Sequence, residues 1–154
     1  MKILILENIR SAYNVGAIFR TADGAGVQKI FLVGYTPTPI DRFGRVQPEI
    51  KKTSLGASDE IEWEHSLRSE LIISQLKTEG VEVVSIEQTN ESVSLDKFKV
   101  PDKVAYVLGN EVGGVSKETI EQSDLVVDIP MLGIKESLNV SVAAGIVLYY
   151  GLGD

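Results

Sequence analysis

The chain has 154 residues, 44% of them hydrophobic and 6% aromatic, which is enough for one ordinary core and too short for two comfortable ones, so one domain over residues 1–154 is expected. With no cysteine and one histidine, it excludes disulfides, thiolate metal sites and the usual His-based zinc clusters, so no metal site is expected and a cytoplasmic setting fits. A net charge of −7 and a pI near 4.8 argue, taken whole, against a nucleic-acid binder.

The charge is unevenly spread. Residues 1 to 52 hold eight Lys/Arg against four Asp/Glu, whereas residues 53 to 154 hold seven against eighteen. The N-terminal third is therefore the one place for phosphates to land, unless the asymmetry is only chance variation on an acidic surface. The first apolar run, residues 2 to 6, is too short for a signal peptide or a membrane span and reads as a strand. From Asn14 to Gly26, Val15, Ile18, Phe19 and Ala22 repeat at i, i+3, i+4, i+7, which predicts a helix capped by Asn14 and ended by Gly24 or Gly26. Residues 29 to 33 predict the next strand, completing a strand-helix-strand unit.

The stretch from Gly34 to Ser54 carries Pro37, Pro39 and Pro48 with Arg42, Arg45, Lys51 and Lys52, and reads as a long basic loop. A helix is predicted from Ser66 to Glu79 with Leu67, Leu71 and Leu76 inward, stopped by Gly80, followed by a strand from Val81 to Ile86. Strands at Val104–Leu108 and Leu125–Ile129 flank a short helix near Lys117–Gln122, and a last helix runs from about Asn139 to Tyr150. Strands alternating with helices imply an α/β fold with a mainly parallel sheet flanked by helices.

Ligands of open α/β sheets sit beyond the carboxyl ends of the strands, which directs attention to the loops leaving Ile86, Leu108 and Ile129. The loop Leu108-Gly-Asn-Glu-Val-Gly-Gly-Val-Ser116 is either a tight turn into a helix capped by Ser116 or a backbone surface that approaches a ligand. It has no GxGxxG spacing, and no GxxxxGK[ST] loop occurs in the chain, so nicotinamide and nucleoside triphosphate chemistry lose ground. After Ile129 an apolar loop enters a helix with hardly a polar side chain on any face, which must be buried in a core or an interface. Ser137 and Asn139 at that junction either cap the helix or line a pocket. On the first helix, Arg20 has Gly16, Ala17 and Gly24 as face neighbours, leaving room for a polymer, unless it is a surface arginine paired with Asp23. His65 lies next to the predicted helix start, where a lone histidine is more often a surface or cap residue than a general base.

Three segments together resemble the three motifs of the SpoU/TrmH branch of the SPOUT superfamily, the RNA ribose 2′-O-methyltransferases. They are Asn14-Val-Gly-Ala-Ile-Phe-Arg20-Thr-Ala, Leu108-Gly-Asn-Glu-Val-Gly-Gly, and Ile129-Pro-Met with Ser137-Leu-Asn-Val-Ser-Val-Ala143, in the family order. Lys52-Thr-Ser-Leu-Gly-Ala57 and Ser85-Ile-Glu-Gln-Thr89 are also similar, so the likeness covers nearly the whole chain. The resemblance implies a sheet whose C-terminal part is threaded into a trefoil knot, S-adenosylmethionine as cofactor, and a homodimer with active sites beside the interface. Carried over by position, Ile86, Glu87, Gly109, Ile129, Met131, Ser137 and Leu138 would surround the cofactor, while Asn14, Arg20, Glu111, Ser137 and Asn139 would form the catalytic group. Arg10, Arg20, Arg42, Arg45, Lys51 and Lys52 are the expected RNA contacts. Many relatives carry an N-terminal RNA-binding domain that is not expected here, and small relatives often act on tRNA, which places tRNA first and ribosomal RNA second as substrate. A knotted RNA-binding module without catalysis is the competing reading.

Overall fold

A computed structural model describes residues 1–154. Its strands are β1 (Lys2–Glu7), β2 (Lys29–Val33), β3 (Glu62–Ser66), β4 (Glu82–Ile86), β5 (Val93–Ser94), β6 (Val104–Leu108) and β7 (Leu125–Asp128). They form one sheet in the order β3-β2-β1-β6-β4-β7-β5, and every pairing is parallel. Side chains alternate across a strand, so β1 sends Ile3 and Ile5 into one core and Leu4 and Leu6 into the other. The first core is closed by Ile72, Ile73 and Leu76 of α4 (Ser69–Thr78). The larger one is closed by Ile18 and Phe19 of α1 (Ala12–Gly24) and by Ala144 and Leu148 of α6 (Val140–Tyr149). Burial on both faces is why these strands read as unbroken apolar runs. No helix is long and apolar enough to cross a membrane.

Three shorter α-helices, α2 (Pro48–Ser54), α3 (Ala57–Glu60) and α5 (Lys117–Gln122), and a 3-10 turn at Leu95–Lys97 complete the chain. The stretch expected to be a loop as far as Ser54 therefore ends in a helix, with Pro48 in its first turn, Gln47 as its cap, and Lys51 and Lys52 in its last turn. Gly16 lets α2 lie directly on α1, since a Cβ there would stand 1.8 Å from Thr53 Oγ1 and 2.9 Å from the Ile50 carbonyl oxygen. The face around Arg20 is accordingly filled rather than bare: Gly24 is also occupied, its Cβ position 2.6 Å from the Tyr149 hydroxyl.

Three further expectations are corrected, and two strands, β3 and β5, are added to those expected. Ser11, not Asn14, caps α1, accepting the Asn14 N–H at 3.1 Å, because the Asn14 side chain is buried and engaged elsewhere. The helix placed at Ser66 begins at Ser69, and residues 62 to 66 are the edge strand β3, whose mostly polar sequence hides the strand pattern. Leu67 and Leu71 are exposed, because α4 uses the alternative apolar face of Ile72, Ile73 and Leu76. The two-residue β5 is too short to leave a period.

Candidate active site

The loops leaving β4, β6 and β7 meet the start of α6 at the carboxyl edge of the sheet and enclose one cleft. Ile86, Glu87, Gly109, Ile129, Met131, Ser137 and Leu138 all line it. So do Leu108, Asn110, Val140 and Ala143, which belong to the same motifs, and Gln88, Asp128 and Glu136 beside them. The long-range arrangement follows from strand order: β6 inserts between β1 and β4, and β7 lies outside β4, so loops distant in sequence leave neighbouring strands.

Two glycines set the shape of the inner wall. A Cβ at Gly109 would stand 2.3 Å from the Gly114 carbonyl carbon, and one at Gly114, whose φ is +71°, would stand 2.1 Å from Glu87 Oε1. Asn110 and Gly114 close the loop with backbone bonds of 3.1 and 2.9 Å. The Asn110 side chain holds it as well: its Oδ1 accepts the Val112 and Gly113 N–H groups at 2.9 and 2.8 Å, and its amide donates to the Asn8 carbonyl oxygen and the Tyr35 hydroxyl. Sequence reading passed over Asn110, although an Asn between glycines is a turn-forming signal. Glu87, Glu111, Asp128 and Glu136 line the cleft, and no Lys, Arg or His does. Burial pushes the Glu87 carboxyl above its ordinary value.

At the mouth, three motif residues join. Glu111 accepts the Arg10 and Ser11 N–H groups, each at 2.9 Å, and the Asn14 amide at 3.3 Å. The Asn14 Oδ1 in turn accepts the Asn139 amide at 3.4 Å. Partial burial works against ionisation of Glu111, but the Arg10 and Ser11 N–H groups, its own N–H and the Asn14 amide outweigh it and hold the carboxyl below its ordinary value. This chain of contacts ties the start of α1, the glycine-rich loop and the start of α6 into one unit. Asn139 also caps α6, accepting the Ser141 N–H at 2.8 Å, so the capping and pocket readings hold together. The exposed Ser137 side chain makes no hydrogen bond and lines the cleft.

Arg20 is not brought into this group. It is exposed on α1, does not line the cleft, and makes no ion pair, with Asp23 or any other acid. Arg42, Lys51 and Lys52 are likewise exposed and unpaired, while Arg45 pairs with Asp41 at 2.8 Å and the exposed Arg10 contributes its backbone to Glu111. His65 sits on edge strand β3 with its Nε2 2.9 Å from the Gly34 carbonyl oxygen, outside the cleft.

A sequence model of the SpoU rRNA Methylase family matches residues 1–149. A 23S rRNA (guanosine-2'-O-)-methyltransferase RlmB from Neisseria meningitidis serogroup B is 34% identical over 146 residues, which cover 95% of this chain and 56% of that protein. The chain thus spans about half the length of the curated relatives it matches. Among solved structures, an AdoMet-bound rRNA methyltransferase from Sinorhizobium meliloti is similar with a TM-score of 0.86 at 29% identity, covering 97% of this chain and 54% of that one. A TrmH/SpoU tRNA modifying enzyme from A. aeolicus is similar with a TM-score of 0.85 at 28% identity, covering 98% of this chain and 73% of that one. With its motifs gathered at one sheet edge and the family match spanning nearly its whole length, the chain belongs to the SpoU rRNA Methylase family.

Proposed function

We propose that this chain transfers a methyl group from S-adenosylmethionine to a ribose 2′-hydroxyl of RNA, with ribosomal RNA as the substrate class. The observation that carries the reading is the gathering of the seven cofactor positions into one cleft, with the Asn14–Glu111–Asn139 chain at its mouth. The RlmB relatives favour ribosomal RNA over the tRNA that the resemblance alone placed first, and the A. aeolicus neighbour keeps tRNA as the second reading.

The residues present fit the cofactor. Ile86, Leu108, Ile129 and Val140 offer apolar walls for a base, and Gly109 and Gly114 let the loop close on itself and on Glu87 so that its backbone forms the inner wall. The carboxylates, unopposed by any basic side chain in the lining, complement a sulfonium and an ammonium. When bound, the cofactor supplies an electrophilic methyl group. The chain's task is then to hold the hydroxyl in line with it and to let the proton leave. Ser137 and the Asn14–Asn139 amides orient the ribose; with no base bonded to it, Ser137 is no nucleophile. Arg20 stays charged, so it clamps an RNA phosphate and stabilises the developing alkoxide while the proton departs through phosphate or water.

A homodimer completes this reading. Val142, Ile146 and Tyr149 form an i, i+4, i+7 stripe on α6 that is 50, 37 and 49% exposed. A helix this apolar, half-open in one protomer, is accounted for by a second copy. Since α1 packs on α6, Arg20 stands beside that face and serves a site shared between protomers.

The test is to incubate the protein with methyl-labelled cofactor and total RNA and to locate the modified nucleotide by mass spectrometry. Label in a 2′-O-methylated ribosomal nucleotide is expected; label only in tRNA supports the second reading. Cofactor binding without transfer to any RNA overturns the enzymatic reading, and no cofactor uptake favours a non-catalytic RNA-binding module.

A further inference from the structure

The segment between β2 and α2 carries a second cavity, lined by Tyr35, Arg42, Phe43, Arg45, Gln47 and His65 among others, on the sheet edge that also bears the cofactor cleft. At its rim Phe43 is 67% exposed and Tyr35 61% exposed. An exposed phenylalanine is unfavourable in water, yet the turn that carries this one is closed by its own hydrogen bonds. Asp41 Oδ1 accepts the Phe43 and Arg45 N–H groups at 2.9 and 3.0 Å, its Oδ2 pairs with Arg45 Nε at 2.8 Å, and Ile40 and Val46 bridge below. The contacts of Asp41 with Arg45 and Phe43 hold its carboxyl below the ordinary value, so the acceptor that closes the turn resists protonation further into acid. Two guanidinium groups lie over the ring, Arg42 at 4.9 Å and Arg45 at 5.0 Å from its centroid, so a base that stacks there takes the place of one of them, and Arg42, unlike the Asp41-bound Arg45, is free to move aside. Arg42 has no acidic partner, which leaves it to meet a phosphate.

An exposed aromatic ring on a closed turn that already binds guanidinium groups on its face has the makeup of a platform for unpaired bases, because every base has a π-face and the arginine it displaces is left to take the phosphate. We propose that the Ile40–Val46 turn, with Tyr35 opposite, is a subsite that stacks an unpaired nucleotide near the methylated one; this rests on the reading that the chain acts on RNA. Charge alone marks Arg42 and Arg45 as general phosphate contacts. The ring between them adds a requirement for single-stranded RNA, since bases inside a duplex are already stacked. The Tyr35 hydroxyl accepts the Asn110 amide at 2.8 Å, so the subsite is one hydrogen bond from the loop that lines the cofactor cleft.

The test uses fluorescence anisotropy at low salt with a short fluorescein-labelled oligoadenylate and a blunt RNA duplex, alongside calorimetric titration of S-adenosylmethionine. Phe43→Ala is expected to weaken oligoadenylate binding by roughly 5- to 150-fold, the range for losing one stacked base, with duplex and cofactor binding unchanged. Phe43→Trp should bind at least as tightly as the parent. Parental affinity in Phe43→Ala, an equal loss on the duplex, a Phe43→Trp variant as weak as Phe43→Ala, or a parent that does not bind the single strand would each overturn the subsite. A parent that binds no cofactor speaks instead against the methyltransferase reading.

Discussion

On the proposed reading, Glu87 would serve ligand and fold in opposite directions. Its carboxyl is raised by burial, so the folded chain holds that proton more tightly than the unfolded one. The stability this contributes is complete below the ordinary value of 4.5 and is lost as pH rises through the raised one. Glu87→Gln should therefore raise the Tm of the unliganded protein at neutral pH, with the gap closing below 4.5 in a pH series of thermal melts. The same change should weaken S-adenosylmethionine by about tenfold, the scale of one partly buried charge contact, and weaken the thioether product less, since the product keeps the ammonium but has lost the sulfonium. Equal losses for both ligands in calorimetry would remove the sulfonium from the argument. Arg20→Ala, in contrast, should cost roughly a hundredfold or more in methyl transfer while leaving cofactor affinity nearly intact. Turnover retained in single-cycle assays would take Arg20 out of the mechanism.

Among the elements, α2 depends on a single absent side chain. Gly16→Ala drives a methyl group into Thr53 and the Ile50 backbone, and backbone cannot step aside as a side-chain tip can. The expected cost is about 1–3 kcal/mol in denaturant unfolding, together with a shallower salt dependence of RNA binding as Lys51 and Lys52 lose their platform. Wild-type stability would mean that α2 does not seat there. Two helix boundaries show where sequence patterns stop being decisive. Both Ser11 and Asn14 are good caps, and the choice fell to Ser11 only because Glu111 and Asn139, distant in sequence, draw the Asn14 side chain away. Between residues 67 and 76 two apolar stripes compete, and the sheet takes the one with Ile72 and Ile73 because β4 and β6 lie under it.

At the scale of the molecule, pairing through α6 predicts that Ile146→Glu yields a monomer by light scattering with methyl transfer sharply reduced, since Arg20 would lose its facing site. A variant that stays dimeric would move the interface off α6. The half-open stripe could not be read from the helix, whose residues are apolar on every side; which of them face α1 and the sheet, and which face outward, depends on where the helix docks.

The amino-acid sequence by itself determined the α/β class, the positions of most strands and helices, and the family, because periodicity and motif order are local properties written along the chain. It also named the cleft residues, through resemblance and not through pattern. Only the tertiary structure decided that Glu87 presses against Gly114, that Asn14, Glu111 and Asn139 form one linked unit, that Asn110 joins the glycine-rich loop to Tyr35, and that Arg20 stands apart. The physical reason is strand order. With β6 inserted between β1 and β4, residues about a hundred positions apart come within hydrogen-bond reach, and no repeat in the sequence encodes that distance.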